Sequence, residues 1–473
     1  MPLTPRYLPN PHHLALGDRF FDVVRPAEFP KHILRFRNDR WAARVGLDRL
    51  SDAEWLAHFA QFEPLPGNLE HPLALRYHGH QFRSYNPNLG DGRGFLFAQM
   101  HEDGDPAGRL LDLGTKGSGQ TPYSRQGDGR LTLKGAVREV LATEMLEARG
   151  VNTSKTFSIV ETGESLYRGD EPSPTRSAVL VRLNHSHIRL GSFQRQAALQ
   201  DPDALRTLLD HVAAVHMPEV DAITDGLDRV AAFLRQVVAN TARTTAQWMA
   251  AGFVHGVLNT DNILVTGESF DYGPWRFLPT YDPRFTAAYF DHAGLYAYGR
   301  QPETLMWNLT RLAETLLPLC NQDRLVAALD TFPAAFSDAL AEAVTRRLGV
   351  VRGTVEEDNR LAGALFGFLE DTQIPFDRPF FDWFGGPASV ERASASPHAA
   401  HYASAAFQPV RDALLARAPR PGVDLGHDYF AGAPSGLLIE EVEALWAPIA
   451  AHDDWTAVTA KVAEIRAMGN AVV

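Results

Sequence analysis

Residues 248–273 read WMAAGFVHGVLNTDNILVTGESFDYG, and the fold of the whole chain turns on this stretch. Gly252 is a helix stop, because glycine takes the left-handed conformation that ends a helix without steric cost. Ile263-Leu264-Val265 is expected as a short apolar strand, followed by a turn over Thr266-Gly267-Glu268-Ser269. Around these structural residues sit three polar side chains of chemical interest: His255, Asn262 and Asp271.

Their spacing can be set against the protein-kinase pattern H-R-D-x-x-x-x-N followed by D-F-G. His255 and Asn262 fall at the His and metal-binding Asn positions, and Asp271-Tyr272-Gly273 stands in for D-F-G. The slot for the catalytic Asp holds Val257, which cannot accept a proton. The stretch therefore keeps the metal-binding half of a kinase site and lacks its usual base.

Working towards the N-terminus, Arg109 to Lys116 reads as a strand ending on a lysine. A helix over about Leu133 to Arg149, closed by Gly150, carries Glu139. A strand Lys followed by a helix Glu is the kinase arrangement in which the Lys holds nucleotide phosphates and the Glu orients it. Ahead of both lies Asn88-Leu89-Gly90-Asp91-Gly92-Arg93-Gly94, where glycines let backbone N–H groups approach phosphate closely. Alone this cluster is also what a turn between two strands looks like. The ordered succession of glycine loop, Lys, Glu, H-x(6)-N and D-Y-G is what raises it above that. The polar loop Gly119 to Arg130 is too long for a mere turn and is expected as a phosphate cradle or substrate gate. Arg182 and Arg189 flank the handover from strands to helices and suit oxygen-rich phosphates. His78, His80, His185 and His187 lack acidic or Cys partners at metal-site spacing and are expected as ordinary polar loop residues.

Bulk properties set the limits. At 473 residues the chain should form two or three domains or lobes. Its net charge of −12 lacks the basic excess of a nucleic-acid binder. The single cysteine, Cys320, excludes an internal disulfide and fits a reducing compartment. Met1 to His13 has no signal-peptide character, and no apolar run approaches the roughly 20 residues of a membrane helix. The expected class is α+β: a protein-kinase-like bilobal fold with a β-rich N-lobe over residues 73–185 and a helical C-lobe over 186–345. Residues 1–72 are Pro-rich and read as an irregular arm packed on the body, with one helical patch near Asp52 to Gln61. Residues 346–473 read as a helical extension without chemical motifs.

These motifs together resemble the selenoprotein O (SelO/YdiU) family of pseudokinase-fold protein adenylyltransferases. The resemblance rests on Leu89-Gly90-Asp91-Gly92-Arg93, Thr121-Pro122-Tyr123-Ser124-Arg125 with Gly127 to Arg130, His255 to Asn262, and Asp271-Tyr272-Gly273-Pro274. It covers about residues 75 to 320, in family order. It implies binding of ATP in a flipped orientation and transfer of AMP to Ser, Thr or Tyr hydroxyls of proteins. It further implies that Gly90, Gly92, Arg93, Lys116, Asp128, Gly129, Arg182, Arg189 and Asp271 contact the nucleotide. Glu139 would orient Lys116, and Asn262 with Asp271 would hold Mg²⁺ or Mn²⁺. Asp261 would be the proton acceptor, which supplies the base that Val257 does not. Family members often carry Cys or selenocysteine near the C-terminus. This sequence departs from that pattern, reading Gly469-Asn470-Ala471-Val472-Val473.

The expected partners are ATP and hydroxyl-bearing proteins, without nucleic acid or membrane, for a monomer in the cytoplasm. Two other functions fit the same residues: a phosphotransferase using this cleft in another register, and a catalytically silent nucleotide-binding scaffold motivated by Val257.

Overall fold

A computed structural model describes residues 3–169 and 171–472. Met1, Pro2, Asp170 and Val473 lie outside the described residues, so the outermost ends of the expected arm and extension do too. The chain is mixed α/β, with an antiparallel sheet drawn from residues before 185 and mainly helices after 190.

Among the described residues the sheet has nine strands. Its central four, Leu96–His101, Leu110–Lys116, Thr175–Asn184 and Lys155–Leu166, are consecutive neighbours. Side-chain alternation along Thr175–Asn184 decides what each face does. Val179, Val181 and Leu183 join a core with Trp55, Phe59 and Phe157 on one face. Ala178 and Leu180 point to the other face, into a core shared with Leu133, Val137, Val140 and Leu141 of the helix Leu133–Ala148. Arg182 has the parity of Ala178 and Leu180, so it faces that helix. Lys116 lies opposite Leu180 in the ladder and points the same way.

Residues 1–72, expected as irregular apart from one helix, are more ordered than that. Leu8–Pro9, Phe21–Val23 and Ile33–Arg37 all pair into the nine-stranded sheet. The surrounding prolines hid strands too short to show an alternating pattern. The helical patch is present as Asp52–Phe59, with Ser51 and Glu54 forming a capping box.

The helix before the deciding stretch runs Gly226–Ala251, capped by Asp225, which accepts from the N–H groups of Leu227 and Asp228. It stops at Gly252 with φ of 64°, where an added Cβ would lie 2.7 Å from the Phe376 ring. Ile263 to Val265 is not a strand of a hairpin. Leu264 instead makes an isolated bridge to Arg189, and Ser269 one to Thr153. The backbone here pairs with the Arg189 and Thr153 segments, so its apolar run is buried between elements. In the C-terminal third, helices run Gln322–Leu329 and Phe332–Arg347, and further on Ala399–Tyr402 and Gln408–Leu415. Pro333 and Pro409 sit in the first turns of the later helices, where proline's fixed φ starts a helix rather than continuing one. No helix among the described residues is long and apolar enough to cross a membrane.

Candidate active site

A cleft of about 630 Å³ opens where the strand ends meet the deciding stretch. Its walls are mainly polar. Gly90, Gly92 and Arg93 line one side, Lys116, Arg182 and Arg189 the back, Asp128 and Gly129 the far loop, and Asp261 and Asp271 the floor. Glu139 and Asn262 stand just behind the lining.

Lys116 ends its strand with the ammonium buried. Nζ lies 2.7 Å from Glu139 Oε2 and 2.7 Å from Asp271 Oδ1. Arg182 reaches the same two carboxylates, at 3.4 Å and 3.3 Å. Two cations and two anions thus form one closed cluster joining strand, helix and D-Y-G turn. Burial alone would raise the Asp271 carboxyl, but Lys116, Arg182 and Arg93 outweigh it and hold it well below the ordinary carboxylate range. Asp271 has φ of 63°, a left-handed conformation uncommon for a non-glycine residue. Tyr272 anchors the turn: its hydroxyl is buried and hydrogen-bonds Ser269 Oγ at 2.8 Å and Thr153.

Asp261 sits in a 3-10 turn, Thr260–Asn262. Burial raises its carboxyl to about 6, the nearby Arg189 opposing and Asp271 reinforcing the rise. Its Oδ1 is buried without a hydrogen-bond partner. Asn262 donates from Nδ2 to the Val257 carbonyl at 3.1 Å, which leaves its amide oxygen as an acceptor on the other side. His255 is fully buried and its Nε2 lies 2.9 Å from the Phe270 carbonyl, so it ties the two ends of the stretch together.

The glycine loop and the polar loop lock into each other. The Tyr123 ring lies where a Gly90 Cβ would be, at 2.3 Å, and Gly92 has the Tyr123 carbonyl at 2.9 Å from the same position. Thr121 Oγ1 donates to the Asp91 carbonyl and Ser124 Oγ to the Gly92 carbonyl. Asp128 pairs with Arg168 at 2.8 Å, which with Arg130 lowers its carboxyl against the effect of burial.

Sequence reasoning missed several members. Asp91 pairs with Arg189 at 3.1 Å, and Tyr77 lies under the Arg189 guanidinium at 4.1 Å. Asp91 was inside a recognised motif, but nothing local tied it to Arg189. His185 and His187 lie in the loop expected for them, between Thr175–Asn184 and Leu190–Ala198, but are enclosed there: His187 is buried and its Nδ1 lies 3.2 Å from Asp112, while His185 packs edge-on against His216. Among the described residues no group of three or more His, Cys, Asp or Glu is placed to hold a metal ion. A site at Asp271 and Asn262 would offer one carboxylate and one amide oxygen. That set is too small for an all-protein cage, yet it fits Mg²⁺ or Mn²⁺ shared with substrate phosphates, which need only one or two protein carboxylates.

Comparison with known proteins first defines the class. Proteins named protein nucleotidyltransferase YdiU are similar to this chain. That of Synechocystis sp. is 51% identical over 338 residues, 71% of this chain and 69% of the relative. That of Gloeobacter violaceus is 45% identical over 462 residues, covering 94% and 92%. That of a Bradyrhizobium strain is 41% identical over 377 residues, covering 78% and 74%. The family model described as Protein adenylyltransferase SelO matches residues 6–403. The chain belongs to the SelO family of nucleotidyltransferase enzymes.

Proposed function

We propose that this enzyme transfers AMP from ATP to Ser, Thr or Tyr hydroxyls of other proteins and releases pyrophosphate. The observation that carries the reading is Asp261, a desolvated carboxylate with an unpartnered oxygen on the floor of a cleft whose back wall is cationic. A carboxyl that titrates near 6 is mostly ionised at pH 7 and still basic enough to take a hydroxyl proton.

In the proposed step the acceptor hydroxyl gives its proton to Asp261 as its oxygen bonds to the α-phosphorus. The bond from that phosphorus to the bridging oxygen breaks, and the electron pair leaves with pyrophosphate. Lys116 and Arg182, held by Glu139 and Asp271, present fixed positive charge to the phosphates. Gly90, Gly92 and Arg93 with Asp128 and Gly129 contact the nucleotide from the two interlocked loops, and Arg189 completes the phosphate wall. Asn262 and Asp271 would hold Mg²⁺ or Mn²⁺, which would supply positive charge against the phosphate oxygens.

We read the architecture as protein-kinase-like and bilobal, with lobes 73–185 and 186–345, the N-terminal arm 1–72 and the helical extension 346–473. The Lys116–Glu139 pair between strand and helix, and the order of motifs, support this. The enzyme is read as a cytoplasmic monomer that uses neither nucleic acid nor membrane. Mass spectrometry of a hydroxyl-bearing protein after incubation with ATP tests the reaction. An AMP adduct is expected; a phosphate adduct alone would make the enzyme a phosphotransferase.

A further inference from the structure

A hairpin of the strands Gly79–Gln81 and Ser84–Asn86 stands beside the proton acceptor. It begins in contact with Asp261: a Cβ added at Gly79 would lie 3.2 Å from Asp261 Oδ1. The backbone N–H of His80 donates to Thr260 Oγ1 at 2.7 Å, and that of Phe82 to Asn259 Oδ1 at 3.1 Å. Asn259 and Thr260 immediately precede Asp261, so the hairpin is bonded to the segment that carries the base. Gln81 lines the cleft. One strand thus runs from Asp261, along the cleft wall, to the hairpin tip at Phe82 and Arg83.

The tip keeps large side chains where the backbone disfavours them. Phe82 has φ of 49° and Arg83 of 65°, positions that a two-residue hairpin turn gives to Gly, Asn or Asp. Strain of this kind clusters at ligand clamps. Phe82 is 38% exposed, and its ring centre lies 5.9 Å from that of Phe290, which is 42% exposed. Tyr289, 5.1 Å further on, is 78% exposed. Contiguous exposed apolar side chains mark interaction sites. The rim is short of anions: among the described residues Arg83 and Arg300 share one carboxylate oxygen, Glu303 Oε1, at 3.4 Å each. A protein that presents a hydroxyl to Asp261 brings its own backbone to this hairpin. Phe82 is three residues beyond Gly79, at most about 11 Å along the chain. An extended acceptor segment rises about 3.3 Å per residue, so the side chain that meets the tip lies about two to four positions from the hydroxyl.

We propose, resting on the AMP-transfer reading above, that Phe82 with Tyr289 and Phe290 is the docking surface for the acceptor protein. It takes an apolar side chain about two to four residues from the acceptor hydroxyl, and Arg83 takes an acidic side chain of the same segment. The apolar side chain covers rings that otherwise meet water, and the acid supplies the anion that the rim lacks. Acceptor choice is thereby coupled to the base, because the hairpin that selects the segment is bonded to the residues before Asp261.

The test uses the full chain with ATP, Mg²⁺ and casein, reading label transferred from ATP labelled in the α-phosphate. Asn suits the left-handed turn, so Phe82→Asn should keep the fold, with ATP affinity by calorimetry within about threefold of the parent's. In Phe82→Asn and, on the other loop, in Phe290→Ser, the KM for casein should rise at least about tenfold while kcat falls less than about threefold, as for lost burial of one aromatic side chain. Ala-based peptides with a single Ser give the second measurement. A Phe two to four residues from the Ser should raise kcat/KM at least about tenfold over Ala in the parent and not in Phe82→Asn, and Asp beside that Phe should outdo Lys. An unchanged KM for casein in both variants, or a Phe preference that survives in Phe82→Asn, overturns the assignment. So does a dimer of the parent that Phe82→Asn dissociates with the KM for casein intact, since the tip would then be a contact between copies. Label from the γ-phosphate alone overturns the AMP-transfer reading itself, while the same KM values and peptide preferences, read with that label, still decide the docking surface.

Discussion

The Lys116 ammonium stands 2.7 Å from Asp271 Oδ1, across the junction between the end of the strand Leu110–Lys116 and the D-Y-G turn more than a hundred residues later. Glu139 closes the triangle from the helix side. One ammonium therefore fixes three elements, and it does so in a place where 7% or less of either buried partner's side chain, Lys116 or Glu139, is exposed.

Replacing Lys116 by Met should remove both chemistry and stability. Glu139 and Asp271 would be left with Arg182 as their remaining ion-pair partner. Breaking a buried pair costs about 3–5 kcal/mol. A lowered denaturation midpoint together with at least a 10²-fold loss of kcat/KM is expected, whereas Lys116→Arg should recover more stability than activity.

Asp261→Asn keeps the shape of the side chain and removes its basicity. Turnover should fall by about 10²–10⁴-fold. Binding of ATP, read by calorimetry, should change by less than about threefold, because Asp261 is assigned to the acceptor rather than to the nucleotide. A large loss of ATP affinity would place Asp261 elsewhere in the reaction.

Removal of divalent metal by a chelator should abolish transfer, with activity returning on addition of Mg²⁺ or Mn²⁺. Asp271→Ala should not be rescued at any metal concentration. Metal-dependent turnover in Asp271→Ala would show that another residue holds the ion.

Acid should destabilise the protein through its buried histidines before most of its carboxylates protonate. Burial lowers His13 and His185 to about 4, and His211 and His216 to about 3. Folded pKa values below the unfolded value mean that the unfolded chain takes protons first, so stability present above about pH 6.5 is lost as pH falls towards 4. At pH 5 the loss is about 2 kcal/mol for the deeply buried His13 and less for the partly exposed three. Tm measured between pH 7 and 5 should fall accordingly, and His13→Gln should flatten the dependence.

Much of the site was legible because its parts are local. Gly252 closes its helix as capping chemistry requires, and Lys116 and Glu139 were visible as a strand end and a helix residue. What failed was non-local. Ile263 to Val265 has the composition of a strand, but its hydrogen bonds go to Ile188 and Leu190, so the pairing that would make a hairpin never forms. The strand Ile33–Arg37 is too short to show an alternating pattern, and only its neighbour Lys155–Leu166 makes it a strand. The Asp91–Arg189 pair and the burial of His187 against Asp112 likewise depend on tertiary approach that no spacing encodes.

The central claim is that the α-phosphorus, not the γ-phosphorus, is attacked by a hydroxyl deprotonated at Asp261. Parallel incubations of the enzyme and a hydroxyl-bearing protein with ATP labelled at the α or the γ position test it most directly. The account predicts label on the acceptor from the α position alone, abolished in Asp261→Asn. Label from the γ position alone would contradict it.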